Sequence, residues 1–125
     1  MLPKNLKLAT SADFSRVMKR GSKAGSRTMV VHAYQQPAES QEPPVITGGP
    51  RFGLVVSKAV GNAVVRHRTA RRLRHIALGL STELPRGTAV VLRALPPAGS
   101  ADSAQLEKDL RKALAKALKK DLPHG

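Results

Sequence analysis

Five arginines fall within nine residues of this 125-residue chain, at positions 66, 68, 71, 72 and 74. Lys58, Gly61 and Asn62 precede them, and His67 and His75 are interleaved. A guanidinium is planar, always charged, and able to give two parallel hydrogen bonds to one phosphate. No carboxylate stands three or four residues from any of these arginines, so ion pairs within a helix cannot absorb their charge. Gly61 and Asn62 stand where a helix would open. Its free backbone N–H groups and positive dipole end would then face outward beside Lys58. The chemistry implied is the binding of a polyanion. Bond cleavage by protein groups has little support: the acids are scattered, and no Ser-His-Asp or paired-carboxylate arrangement stands out. Of the histidines His32, His67, His75 and His124, the two in the arginine segment lie eight residues apart, too far for one metal site.

These side chains need a helix to carry them. Projected at 100° per residue from Asn62, the positions Val65, Thr69, Leu73, Ile76, Ala77 and Leu80 fall on one apolar arc. His67, Arg68, Arg71, Arg72, Arg74 and His75 cover the opposite arc. Arg66 is the exception: it lands over the apolar arc in the first turn, where it would lean along a sheet edge.

The remaining elements follow from periodicity and breakers. Ser11 is placed to cap a first helix, Asp13 lies in its first turn and Gly21 ends it, with Phe14, Val17 and Met18 on one stripe. Residues 28–34 alternate as a strand, with Met29, Val31 and Ala33 on one side and Val30, His32 and Tyr34 on the other. Prolines and glycines make 35–50 a long, flexible loop between hairpin strands, and Arg51 to Ser57 forms the next strand. An extra short strand is possible within 44–57. Thr88 to Leu95 reads as a third strand, and 103–121 as a last helix with Leu106, Leu110, Leu114, Ala117 and Leu118 on one face. The whole is one domain, 1–125, of the α+β class, with 122–125 as a tail.

Charge follows the same division. The chain has 22 Lys+Arg against 8 Asp+Glu, a formal charge of +14. Residues 43–82 hold seven Lys/Arg and no acid, whereas 83–125 hold eight and five acids. A surface made only for solubility mixes signs, so the acid-free stretch points to nucleic acid. Aromatic residues make up 2%, namely Phe14, Tyr34 and Phe52, which leaves ionic contact and shape to dominate over stacking. With no cysteine, disulfides, thiol catalysis and cysteine-based zinc fingers are excluded. No apolar run approaches the ~20 residues needed to cross a membrane. Met1 to Thr10 has no signal-like apolar stretch, so a cytoplasmic location is expected. A DNA-reading helix usually mixes Asn, Gln or Ser among its basic residues. The near-pure arginine of 66–75 favours phosphate contact instead.

The ordered set Lys58, Gly61-Asn62-Ala63-Val64, Arg66-His67-Arg68, Arg71, Arg72 and Arg74 resembles the signature of the protein subunits of bacterial ribonuclease P. Ala12-Asp13-Phe14 through Arg20-Gly21 resembles that family's first helix, and Arg51 through Lys58 the strand leading into the signature. Arg93-Ala94 and Leu106-Glu107 resemble its third strand and last helix. The resemblance implies an α-β-β-β-α-β-α sandwich with a left-handed βαβ crossover, like domain 2 of ribosomal protein S5. It implies a subunit of an endoribonuclease whose RNA partner, ribonuclease P RNA, removes the 5′ leader of precursor tRNA with Mg²⁺ held mainly by RNA and substrate. No obligate protein partner and no membrane are implied. Carried over by position, Lys58, Asn62, Arg66, His67, Arg68, Arg71, Arg72 and Arg74 would contact that RNA. Phe14, Met18, Val30, His32, Val55 and Arg74 would line a groove for the leader. His67 departs from the family's usual Asn, Ala70 from a basic residue, and Met18 and His32 from aromatic ones. The alternative is a ribosomal or general RNA-binding protein of the same fold with no role in tRNA processing.

An arginine face that neutralises about six phosphates gives a log–log salt slope of roughly −5 on duplex-like RNA. Filter binding across a salt series should return that value, and a slope near −1 would contradict a dedicated phosphate-binding face.

Overall fold

The computed structural model describes residues 2, 7, 8, 11–35, 50–85 and 87–121. Most of the 35–50 loop, the 122–125 tail and His124 lie outside the described residues. Helix α1 spans Ser11–Arg20, followed by strands β1 (Ser22–Gly25), β2 (Met29–Gln35) and β3 (Arg51–Val55). A 3-10 turn, Lys58–Val60, leads into α2 (Ala63–Leu80), and strand β4 is Thr88–Ala94. A second 3-10 turn, Pro96–Ser100, precedes α3 (Ser103–Asp121).

The strands form one sheet in the order β1-β2-β4-β3. β2 pairs antiparallel with both β1 and β4, and β3 pairs parallel with β4. Two expectations change here. β2 and β3 are not hairpin partners, because β4 lies between them; the hairpin is β1–β2. Positions 44–49 of the stretch expected to hold an extra strand lie outside the described residues; among those described, the additional strand is Ser22–Gly25. Its sequence Ser-Lys-Ala-Gly has no β-branched or aromatic residue, so pairing with β2 rather than intrinsic preference makes it a strand. Likewise Ser11 is the first residue of α1 rather than a residue ahead of it, and Gly21 closes the helix by donating to the Val17 carbonyl at 2.9 Å.

Alternation along β2 sends side chains to two apolar layers. Met29, Val31 and Ala33 join Phe52, Val90 and Leu92 beneath α2 and α3. Tyr34 joins Ala89, Val91, Leu8 and Val17, with Phe14 and Val55 packed against them beneath α1. β4 is buried on both sides, as a strand sandwiched between layers must be. The apolar faces expected for α2 and α3 both point into the larger layer.

Burial is what makes α2 possible. Its arginines form like-charge pairs at i, i+3 and i, i+4, each costing a few tenths of a kcal/mol. Leu73, Ile76, Ala77 and Leu80 are buried on the other side, and each buried large side chain contributes about 1.5–3 kcal/mol. Tertiary packing therefore outweighs the self-repulsion.

Four acids of the C-terminal half make described contacts within the chain. Asp109 is buried, accepting from the Thr28 hydroxyl at 2.7 Å and from the Gln105 amide at 2.9 Å. Asp102 accepts from the Gln105 backbone N–H at 2.8 Å at the start of α3. Arg111 reaches Glu107 one turn back and both oxygens of Glu83, each at 3.1 Å. The guanidinium holds the Glu83 carboxyl below its ordinary pKa.

Thr28→Val removes the donor from a buried carboxylate while keeping the shape. It should destabilise the fold by about 1–3 kcal/mol, read as a lower urea midpoint with an unchanged m value.

Candidate RNA interface

Asn62 takes up extended backbone and its side-chain oxygen accepts from the Val65 N–H at 3.0 Å, which fixes where α2 starts. One of the helix-opening N–H groups is thus occupied by the cap rather than left for an anion. Gly61 carries φ 155, a conformation that favours glycine, and turns the chain between Lys58–Val60 and α2. Lys58 is exposed on that turn, directly ahead of the helix.

The arginines divide by what holds them. Arg68 donates to the Gly99 carbonyl at 2.9 Å and Arg72 to the Ala101 carbonyl at 2.8 Å, so both lean on the Pro96–Ser100 turn. Arg71, His67 and His75 are exposed, and Arg66 and Arg74 are half-buried. The expected single face is therefore two flanks. One is braced against the segment before α3, and the other is open. Between them, His67, Arg68, Arg71 and Arg74 surround one cleft, while Arg71, Arg72, His75 and Ser103 surround a second. Among the described residues, no carboxylate pairs with any α2 arginine. The buried Nε–H groups of Arg66, Arg68 and Arg74 also find no protein acceptor.

The other expected groove lies on the α1 side of the sheet. Strand register aligns Lys23, His32, Val91 and Gly53 in one row and Val30, Arg93 and Val55 in the next. Phe14 lies over Gly53: a Cβ there would come within 2.4 Å of its ring. Phe14 also shares a cavity of about 320 Å³ with Arg74, Lys7, Leu8 and Leu54. The structure therefore joins Phe14 to Arg74 and Val55, and sets Val30 and His32 on the same sheet face. Met18 is exposed on α1, and no described contact brings it to the others.

His32 is 5% exposed, and neither ring nitrogen has a protein partner. Burial, then the charges of Arg93 and Lys23, lowers its pKa below the ordinary 6.5.

The family model described as Ribonuclease P matches residues 2–118. The ribonuclease P protein component of Rhodococcus opacus is 56% identical over 114 residues, covering 91% of this chain and 90% of that protein. The corresponding component of Corynebacterium glutamicum is 52% identical over 126 residues, covering 94% and 95%. The chain belongs to the ribonuclease P protein family. The solved structure of the Staphylococcus aureus RNase P protein superposes with a TM-score of 0.72 at 25% identity, covering 90% of this chain and 94% of that one. That of Thermotoga maritima shares the fold, with a TM-score of 0.68 at 20% identity. As a member, the chain is the protein component of the tRNA 5′-processing endoribonuclease. The general RNA-binding alternative is not favoured.

The carbonyls of Gly99 and Ala101, which orient Arg68 and Arg72, are the groups that sequence reasoning missed. Pro96, Pro97 and Gly99 read as a separator between a strand and a helix. The available signal was Gly99: a Cβ there would meet the Val60 carbonyl at 2.4 Å, so this turn must press against the one that opens α2.

The unfolded chain protonates His32 before the folded one does, so stability falls as pH drops below about 6.5 and through the lower folded value. The urea midpoint should therefore decline between about pH 7.5 and about pH 5.5. His32→Phe, which cannot charge, should flatten part of that decline. An identical slope in the variant would show that His32 is not the group responsible.

Proposed function

We propose that the α2 surface is the face that contacts ribonuclease P RNA, through Lys58, Asn62, Arg66, His67, Arg68, Arg71, Arg72 and Arg74. The observation that carries this reading is the uncompensated charge of α2. Its arginines have no carboxylate partner among the described residues, and two are oriented by backbone carbonyls. A guanidinium held by one N–H keeps others for a phosphate and loses less freedom on binding.

In the same reading, the groove beneath α1 takes the 5′ leader of precursor tRNA, with Phe14, Met18, Val30, His32, Val55 and Arg74 as its contacts. Phe14 is the surviving aromatic ring, and Arg74 supplies the charge beside it. His32 is buried on this sheet face with both ring nitrogens shielded, so in this reading it forms part of the groove floor. Arg74 borders both this cavity and the α2 cleft, which supports a leader path that runs on to the RNA-facing helix.

Mg²⁺ in this reading is held mainly by the RNA and the substrate. Among the described residues no three of His, Cys, Asp and Glu come together. No described helix is long and apolar enough to cross a membrane. The assembly is taken to work in the cytoplasm, with no obligate protein partner. The protein's contribution is charge neutralisation and positioning, and bond cleavage belongs to the RNA.

Mixed with its cognate ribonuclease P RNA, the chain should stimulate precursor tRNA cleavage at low Mg²⁺. No gain over RNA alone would refute the reading. Arg68→Ala should weaken assembly by about 1–3 kcal/mol, about five- to more than a hundredfold, whereas Lys119→Ala should change it less than about twofold. Equal effects would mean diffuse attraction rather than a defined face.

A further inference from the structure

The cleft on α2 is not uniformly charged. It measures about 610 Å³ and is lined by Val64 and Ala70 together with His67, Arg68, Arg71 and Arg74. Val64 is 72% exposed, the most exposed of the large apolar side chains on the described surface. A single exposed valine needs no explanation. Here it shares a cleft with a second apolar residue, and every other side chain around them is basic or aromatic nitrogen.

A continuous RNA duplex makes poor use of such a site. Its accessible surface is phosphate and 2′-hydroxyl, which arginines alone would satisfy. An unpaired nucleotide fits it better. A base has an apolar π-face that rests on aliphatic carbon and stacks on guanidinium or imidazole planes. Its flanking phosphates take the remaining guanidinium N–H groups. The walls are partly set in advance, since Arg68 is fixed on the Gly99 carbonyl at 2.9 Å.

We propose that this cleft receives one unpaired nucleotide of the RNA partner, its base over Val64 and against His67 and its flanking phosphates on Arg71 and Arg74. The proposal rests on the reading that α2 faces RNA, and it adds that the face selects an unstacked base instead of backbone alone.

The test uses the full chain and two RNA hairpins of equal phosphate number, each with one bulged nucleotide. One carries adenine at the bulge and the other an abasic ribose, so backbone charge and flexibility match. Binding by fluorescence anisotropy should favour the adenine hairpin about tenfold at one salt concentration. Val64→Ser, at an exposed position that folding does not depend on, should bring that ratio close to one. Equal affinity of the unaltered chain for both hairpins would overturn the proposal, as would a ratio that persists in Val64→Ser. A steep salt dependence on both hairpins with a ratio of one would overturn only the base-selecting cleft. A shallow dependence on both would remove the α2–RNA reading and the cleft with it.

Discussion

The structure depends on keeping a dense row of arginines apart without neutralising them. A carboxylate beside Arg68 or Arg72 would have held it more strongly than a carbonyl does. It would also have cancelled the charge that the proposed phosphate contact needs. The fold uses carbonyl dipoles instead, from Gly99 and Ala101. They accept hydrogen bonds and add no net charge, so the guanidiniums are oriented and remain cationic. This forces the Pro96–Ser100 turn into close contact with the Lys58–Val60 turn, and the Gly99 approach to the Val60 carbonyl is the consequence.

The same constraint explains where the acids went. Asp109 is sealed against Thr28 and Gln105, Asp102 caps α3, and Glu83 and Glu107 close on Arg111. Each makes its contacts within the chain, and none of these contacts is to an α2 arginine. The C-terminal half thus uses its described acids in local contacts, while the helix from Ala63 to Leu80 carries arginines with no carboxylate partner among the described residues. Family membership implies an RNA partner, and α2 is the face proposed for it.

The elements that sequence made legible are those with a strong period. The α2 faces, the leucine stripe of α3 and the two-sided β2 all repeat their pattern over several turns or pairs, and each repeat adds to the signal. β1 has four residues and no strand formers, so only its partner reveals it. Strand order was hidden for a different reason: a loop tells how far two strands are apart in sequence, not what lies between them. β4 enters between β2 and β3 because its side chains suit burial on both faces, a fact of assembly rather than of its neighbours. The arginine positions were legible, but their braces were not. Backbone carbonyls carry no residue identity, so a hydrogen bond to Gly99 O leaves no mark beyond the glycine itself.

The two apolar layers also account for the groove. α2 and α3 together cover the larger face of the sheet. α1, with ten residues, is too short to cover the other. Its buried anchor is Val17, and Phe14 reaches the sheet only because Gly53 has no side chain to stand in its way. On this face Val30 is half-buried and His32 is buried. A full second layer would give more apolar burial, at about 25 cal/mol per Å², but would close the space between Phe14 and Arg74. The fold gives up that burial on one face, and the large layer beneath α2 and α3 carries most of the apolar stabilisation. The proposed site for a flexible strand is compatible with this arrangement, because stability is supplied from the opposite side of the sheet.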